Sequence, residues 1–273
     1  MRAGSHVLPA CKRLAQTLLM LAVFIFLGLV ISPSKMYEAS FFQAPYPYKV
    51  FYLIACLHIT IAQLFTAFIF GESITVAAGL GYSVSENEKK IENFNSIRTM
   101  EMVKFETATS VYETTQFWNM QSHHYLKYYV SLRLKNRSLP RGTLQVTPLL
   151  LTYLISGVWH GLDLGYFFFF LGLGLLDVLG RTFQSTELAH QLNERVHPVV
   201  RKAVLWVWHF FALSYLATGF IVLDYEKFNM VHAAVGHTMH YAIPLGILTS
   251  ILLPKHQTSK PSLHQKTTAK KTQ

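Results

Sequence analysis

The chain has 273 residues, 51% of them apolar and only 14% charged, with a formal net charge of +10. Soluble domains carry about 25% charged residues, so the composition excludes an ordinary soluble protein and points to the membrane. The basic residues lie between apolar runs instead of forming one stripe, which argues against nucleic acid and for anionic lipid headgroups, and two cysteines, Cys11 and Cys56, cannot build a disulfide framework.

A hydrocarbon core of about 30 Å takes roughly 20 helical residues, and six segments approach that requirement: 14–31, 50–70, 144–159, 162–180, 203–223 and 231–253. The expected fold is therefore all-α, a polytopic membrane protein with about six transmembrane helices. The first segment reads as an anchor, because its apolar run exceeds the roughly 7–15 residues of a signal-peptide core. The third is short and is expected to end inside the bilayer. Between the second and third, residues 83–95 read as a solvated connector, whereas the aromatic-rich stretch 111–134 suits interfacial or re-entrant helices. The membrane domain is expected over 1–253, followed by a basic tail at 254–273 whose residues 255–273 read as polar and disordered.

Basic residues set the expected orientation. With a cytosolic amino terminus, 21 Lys and Arg fall on the cytosolic side and three on the other, Lys35, Lys49 and Lys227. Without the long loop between the second and third segments the split is 12 to three. Both termini are thus expected in the cytosol. The tail ends in Lys270-Lys271-Thr272-Gln273, which resembles the dilysine retrieval signal of endoplasmic reticulum membrane proteins.

The most informative single residue is His160, in Ser156-Gly-Val-Trp-His-Gly-Leu162, an imidazole at the end of an uncharged apolar segment. An ionisable group there is either satisfied by a partner or used in chemistry. Asn119, 41 residues upstream in Trp118-Asn119, is the second. An Asn and a His facing each other in a water-poor site can bind a hydroxyl and remove its proton. His58, His209, His232, His237 and His240 are expected instead to pack or to hydrogen-bond between helices. His237 with His240, and His123 with His124, lack a third ligand at persuasive spacing, so no metal is expected. Lys127 and Arg133 read as a solvated face, and Phe167 to Phe170 as lipid-facing or core bulk.

Trp118-Asn119 followed by Ser122, Tyr125 and Leu126, then Val158-Trp159-His160-Gly161 with Gly165-Tyr166 behind it, resembles the membrane-bound O-acyltransferase family in its lysophospholipid acyltransferase branch. Glu72 with Ala78-Gly79-Leu80-Gly81-Tyr82, Phe105-Glu106-Thr107 and Ser214-Tyr215 through Leu223 extend the likeness, which runs from about residue 46 to 254. The family is usually longer, with several more spans ahead of the matched part, where this chain has a single expected anchor. The resemblance implies transfer of a fatty acyl group from acyl-CoA, a co-substrate and not a cofactor, to the free hydroxyl of a lysophospholipid. It implies His160 as general base and Asn119 as its polar partner, with Trp118, Ser122, Trp159 and Tyr166 lining the substrate site. The alternatives are a non-catalytic or truncated scaffold or lipid transporter of the same fold, and a protein O-acyltransferase, whose branch matches poorly over residues 72–107. A transporter would more readily show repeat symmetry, and none is evident in the sequence.

Overall fold

The computed structural model describes residues 6–84, 92–140 and 144–256. Lys270 and Lys271, and most of the tail, lie outside the described residues.

Helix α1 (Val7–Gly28) leads through a 3-10 turn at Pro33–Tyr37 and the short α2 (Ala39–Gln43) into α3 (Tyr46–Ala77). The α1 and α3 helices are antiparallel. At one end Tyr52 bonds both the amide and the carbonyl of Ser32, and at the other Arg13 pairs with Glu72. With 32 residues, α3 rises about 48 Å at 1.5 Å per residue. Its last turns, polar at Glu72, Ser73 and Thr75, therefore continue past the apolar run that marks the second expected span. Hydropathy registers where apolar residues end, not where the helix does.

Of the expected connector, residues 83–84 and 92–95 lie among the described residues. Two-residue strands β1 (Ser83–Val84) and β2 (Glu92–Asn93) pair antiparallel, a small exception to an otherwise helical chain. Four short helices follow, α4 (Met102–Glu106), α5 (Val111–Phe117), α6 (Met120–Leu126) and α7 (Leu132–Leu134), with a π-helical turn at Lys127–Ser131 between the last two. The α5 start has a mechanism in its sequence: the Ser110 hydroxyl accepts from the Glu113 amide at 3.2 Å, and the Glu113 carboxylate accepts from the Thr109 amide at 2.7 Å, a capping arrangement.

The second half is a bundle of α8 (Val146–His160), α9 (Leu164–Gln184), the amphipathic α10 (Glu187–Arg195), α11 (Pro198–Val222), α12 (Tyr225–Ala234) and α13 (Thr238–Leu252). The core lies where α3, α9, α11 and α13 meet, around Leu53, Phe210, Tyr215, Leu216, Leu173 and Met239. The α8 and α9 helices pack antiparallel, and the Asp177 carboxylate between them takes a bidentate pair from Arg181 at 2.7 and 3.0 Å and a longer bond from the Tyr153 hydroxyl. That pairing is what makes a buried carboxylate tolerable.

Four of the six expected spans coincide with long apolar helices. Among the described residues four helices are long and apolar enough to cross a membrane: α1 with the turn after it, α3, α9 and α11. Helices α8 and α13 have 15 residues each, about 22 Å of rise and short of the hydrocarbon core. The expected sixth span, 231–253, is two helices, because Gly236 and His237 adopt positive φ of 67° and 49° and turn the chain between α12 and α13. The described residues of the expected tail, 254–256, are held in place. Lys255 pairs with Thr186, the Glu187 amide donates to the Pro254 carbonyl, and His256 bonds Glu187, which seats residues 254–256 on the α9–α10 junction.

Candidate active site

His160 is the last residue of α8, and Gly161 ends the helix with φ 144° and ψ −175°, a conformation that an L side chain does not adopt readily. A Cβ at Gly161 would also press to 3.0 Å from the Tyr166 ring. The glycine thus folds the chain back so that Tyr166, on the first turn of α9, comes to 5.8 Å from the imidazole. Phe170 stacks on His160 at 4.8 Å and Phe220 of α11 meets it edge-on at 5.3 Å. The imidazole stands in an aromatic socket and, among the described residues, has no hydrogen-bond partner.

A close helix crossing sets the socket. A Cβ at Gly165 would lie 2.1 Å from the Gly219 carbonyl oxygen, and one at Gly219 would lie 2.9 Å from that of Gly165. The α9 and α11 backbones therefore touch next to Tyr166 and Phe220. The small-residue pair lets two membrane helices approach and brings both rings to His160. Outside the socket, Trp159 is 67% and Leu162 82% exposed, and His160 is itself exposed. Rings thus cover one side of the imidazole, and its sequence neighbours Trp159 and Leu162 are exposed apolar residues.

Asn119 is held differently. It has φ 41° and ψ 55°, left-handed, and precedes α6, a conformation in which Asn is enriched among residues with a side chain. The turn is bracketed by two backbone bonds, the Met120 amide to the Thr99 carbonyl at 2.7 Å and the Glu101 amide to the Phe117 carbonyl at 3.0 Å. Gln121 adds side-chain bonds to the carbonyls of Ser96 and Arg98. Trp118 packs on Phe68 and Phe105 at 5.7 and 5.2 Å. The Asn119 side chain caps nothing and is half-buried.

Asn119 and His160, expected to face each other, are not joined by any hydrogen bond among the described residues. Their supports differ. Trp118 reaches α11 through Phe105 and Phe210, whereas His160 meets Phe220, ten residues further and about 15 Å along the helix. One ring contact among the described residues links the helix that Asn119 heads to the helix that His160 ends: Tyr125 against Trp159, edge-on at 5.7 Å. Of the other expected lining residues, Trp159 and Tyr166 lie beside His160 and Trp118 beside Asn119. Ser122, one turn into α6, is half-buried.

Nearby charges are mostly engaged. The Lys104 ammonium at 2.7 Å, with Arg98, holds the Glu101 carboxyl below its ordinary range. Burial, with Lys127 and His124 close by, lowers His123, which meets the Gln116 amide at 3.1 Å. Of the five histidines expected to pack or to bond between helices, four make hydrogen bonds between helices, and His237, in the turn before α13, meets the His240 ring at 5.2 Å. His209 lies 2.6 Å from the Thr114 hydroxyl, His58 3.0 Å from Glu106, His232 2.5 Å from Thr218, and His240 bonds Tyr215. Sequence reasoning missed the Gly165–Gly219 contact, of which only Gly165-Tyr166 was legible, and the partners of Glu72, which carry no local pattern.

The model of the membrane-bound O-acyltransferase family matches residues 3–222. The chain is 24% identical over 261 residues to membrane-bound glycerophospholipid O-acyltransferase 1 of Mus musculus, covering 95% of this chain and 51% of that protein. It is 25% identical to lysophospholipid acyltransferase of Saccharomyces cerevisiae, covering 72% and 32%. With lysophospholipid acyltransferase 1 of Arabidopsis thaliana it shares 27%, covering 70% and 40%. The chain thus spans about half the length of the mouse relative and less of the other two.

Proposed function

The chain belongs to the membrane-bound O-acyltransferase family, and we propose that it transfers a fatty acyl group from acyl-CoA to the free hydroxyl of a lysophospholipid, in phospholipid remodelling. The observation that carries this reading is the His160 socket: an imidazole without a hydrogen-bond partner among the described residues, backed by rings and close in sequence to the exposed apolar Trp159 and Leu162. Exposed apolar neighbours favour a lipid-borne hydroxyl over a soluble one. The names of the relatives agree with that substrate class.

In the proposed reaction neutral His160 accepts the hydroxyl proton as the oxygen attacks the thioester carbonyl carbon. Collapse of the tetrahedral intermediate breaks the C–S bond, and the imidazolium returns the proton to the departing thiolate. Asn119 donates to the developing oxyanion, with the substrates lying between the two side chains, a contribution worth about 3 kcal/mol where such donors have been tested. Trp118, Ser122, Trp159 and Tyr166 line the lipid path. The address that fits the terminal Lys270-Lys271 and the lysine asymmetry is the endoplasmic reticulum membrane, with both termini cytosolic.

The test is an acyl-transfer assay on microsomes expressing the chain, with a panel of lysolipids and acyl-CoAs. Wild type is expected to turn over, and His160→Ala to lose nearly all activity at unchanged protein level. Wild-type turnover by His160→Ala would remove the base assignment. No turnover by wild type on the full panel would favour a non-catalytic scaffold.

A further inference from the structure

Glu72 is a carboxylate only 4% exposed, near the end of α3. One oxygen accepts both the amide of Thr99 at 2.5 Å and its hydroxyl at 2.6 Å. The other pairs with Arg13 of α1, which also donates to the Phe94 carbonyl at 3.1 Å. A buried carboxylate is costly unless so partnered, and what these bonds fix is residue 99. The carbonyl of Thr99 is the acceptor for the Met120 amide that closes the Asn119 turn. The chain of bonds is continuous from Arg13 through Glu72 and Thr99 to the residue after Asn119, and it joins two spans to the left-handed turn.

We infer that Glu72 and Thr99 are positioning residues for Asn119, holding the turn that aims its amide. The inference rests on the catalytic reading of Asn119 above. Neither residue touches the reacting atoms in this account. Thr99 acts through its carbonyl, and Glu72 acts by fixing Thr99. The turn needs an external hold because Asn119 has a left-handed backbone and its side chain makes no capping bond of its own. Displacement of a catalytic group by about 1 Å can cost on the order of 10²-fold. Loss of one of several bonds is expected to cost less.

The test uses the full chain in detergent or nanodiscs, with Glu72→Gln, which keeps shape and acceptor but removes the charge facing Arg13, and Thr99→Val, which removes only the hydroxyl. Hydrogen exchange of the peptide spanning residues 117–122 reads the turn without reference to activity, and kcat and KM are measured beside it. Both variants are expected to exchange this peptide faster. Thr99→Val should lower kcat on the order of tenfold with little change in KM, and Thr99→Ser should restore it. In the Asn119→Ala background Thr99→Val should cost almost nothing further. Unchanged exchange in both variants would overturn the inference, even if one of them folds poorly and the other alone is measured. An equal kcat loss in both backgrounds would also overturn it, as would faster exchange with wild-type kcat. Wild-type turnover by Asn119→Ala would instead remove the catalytic reading beneath it, while the exchange result would still show whether Glu72 and Thr99 hold the turn.

Discussion

The two halves of the candidate site are built on opposite principles. The Asn119 turn is held by hydrogen bonds: two backbone bonds, two from Gln121, and behind them a buried ion pair. The His160 end is held by shape: stacked rings, a glycine turn and a glycine–glycine helix contact, with no hydrogen bond to the imidazole among the described residues. Hydrogen bonds fix the backbone of a group whose amide is proposed to point at the reaction. An aromatic socket fixes a ring while leaving both nitrogens free to exchange a proton. A base that gave up a nitrogen to a structural partner would lose part of that freedom.

The sharpest way to break the apolar half is Gly165→Val. Its branched side chain would meet the Gly219 carbonyl, already 2.1 Å from a bare Cβ, so α9 and α11 must separate. Overpacking typically costs about 1–3 kcal/mol, and contact with backbone gives little room for relief. Folded protein extracted in mild detergent should fall strongly, and whatever remains should be inactive. A normal yield of active Gly165→Val would show that the crossing does not set the socket.

Next in size is the polar half, where Asn119 has two candidate roles that substitution separates. If the residue mattered only for its left-handed backbone, Asn119→Gly would be tolerated, since glycine adopts that conformation freely. Because the amide is proposed to act on the reaction, Asn119→Gly should lose on the order of 10²-fold in kcat, as much as Asn119→Ala. Its thermal stability should equal or exceed that of the Ala variant. Full activity in Asn119→Gly would make the residue purely conformational.

The link between the halves is the smallest effect. An edge-on aromatic pair contributes about 0.5–1.5 kcal/mol beyond area burial, so Tyr125→Ala should slow acyl transfer only severalfold, read as kcat/KM against the wild type. Tyr125→Phe keeps the ring and should be silent. A loss approaching that of Asn119→Ala would mean that Tyr125 touches the reaction itself.

Legibility in the sequence followed the same division. His160 stood out because an imidazole ending an apolar run is costly without a purpose, and Trp118-Asn119 with Gly161 and Gly165-Tyr166 made a recognisable pattern. The ends of α8 were close to expectation because its apolar run is bounded by polar residues. What could not be read was long-range and polar. Arg13 lies 59 residues from Glu72, and Thr99 lies 27 residues beyond it, and no periodicity couples such positions. The broken sixth segment was hidden for another reason: hydropathy stays high through Val231 to Leu253, while the turn depends on two backbone angles, for which Gly236 was the one visible hint. The separate seats of Asn119 and His160 depend on which rings of α11 each side meets, a packing outcome that spacing along the chain does not set.

Two separately held side chains, with no hydrogen bond between them among the described residues, are proposed to serve a single step. The most direct measurement is a double-variant comparison of kcat for acyl transfer in wild type, His160→Ala, Asn119→Ala and the pair together, at matched protein levels. Residues acting as a unit are strongly non-additive. The double variant is therefore predicted to be slower than His160→Ala by much less than the full Asn119→Ala factor, because the base-assisted attack that the amide supports no longer carries the residual rate. If the two losses multiply, so that the double variant falls below the His160→Ala residual by the full Asn119→Ala factor, the residues act independently and the shared-step account is contradicted.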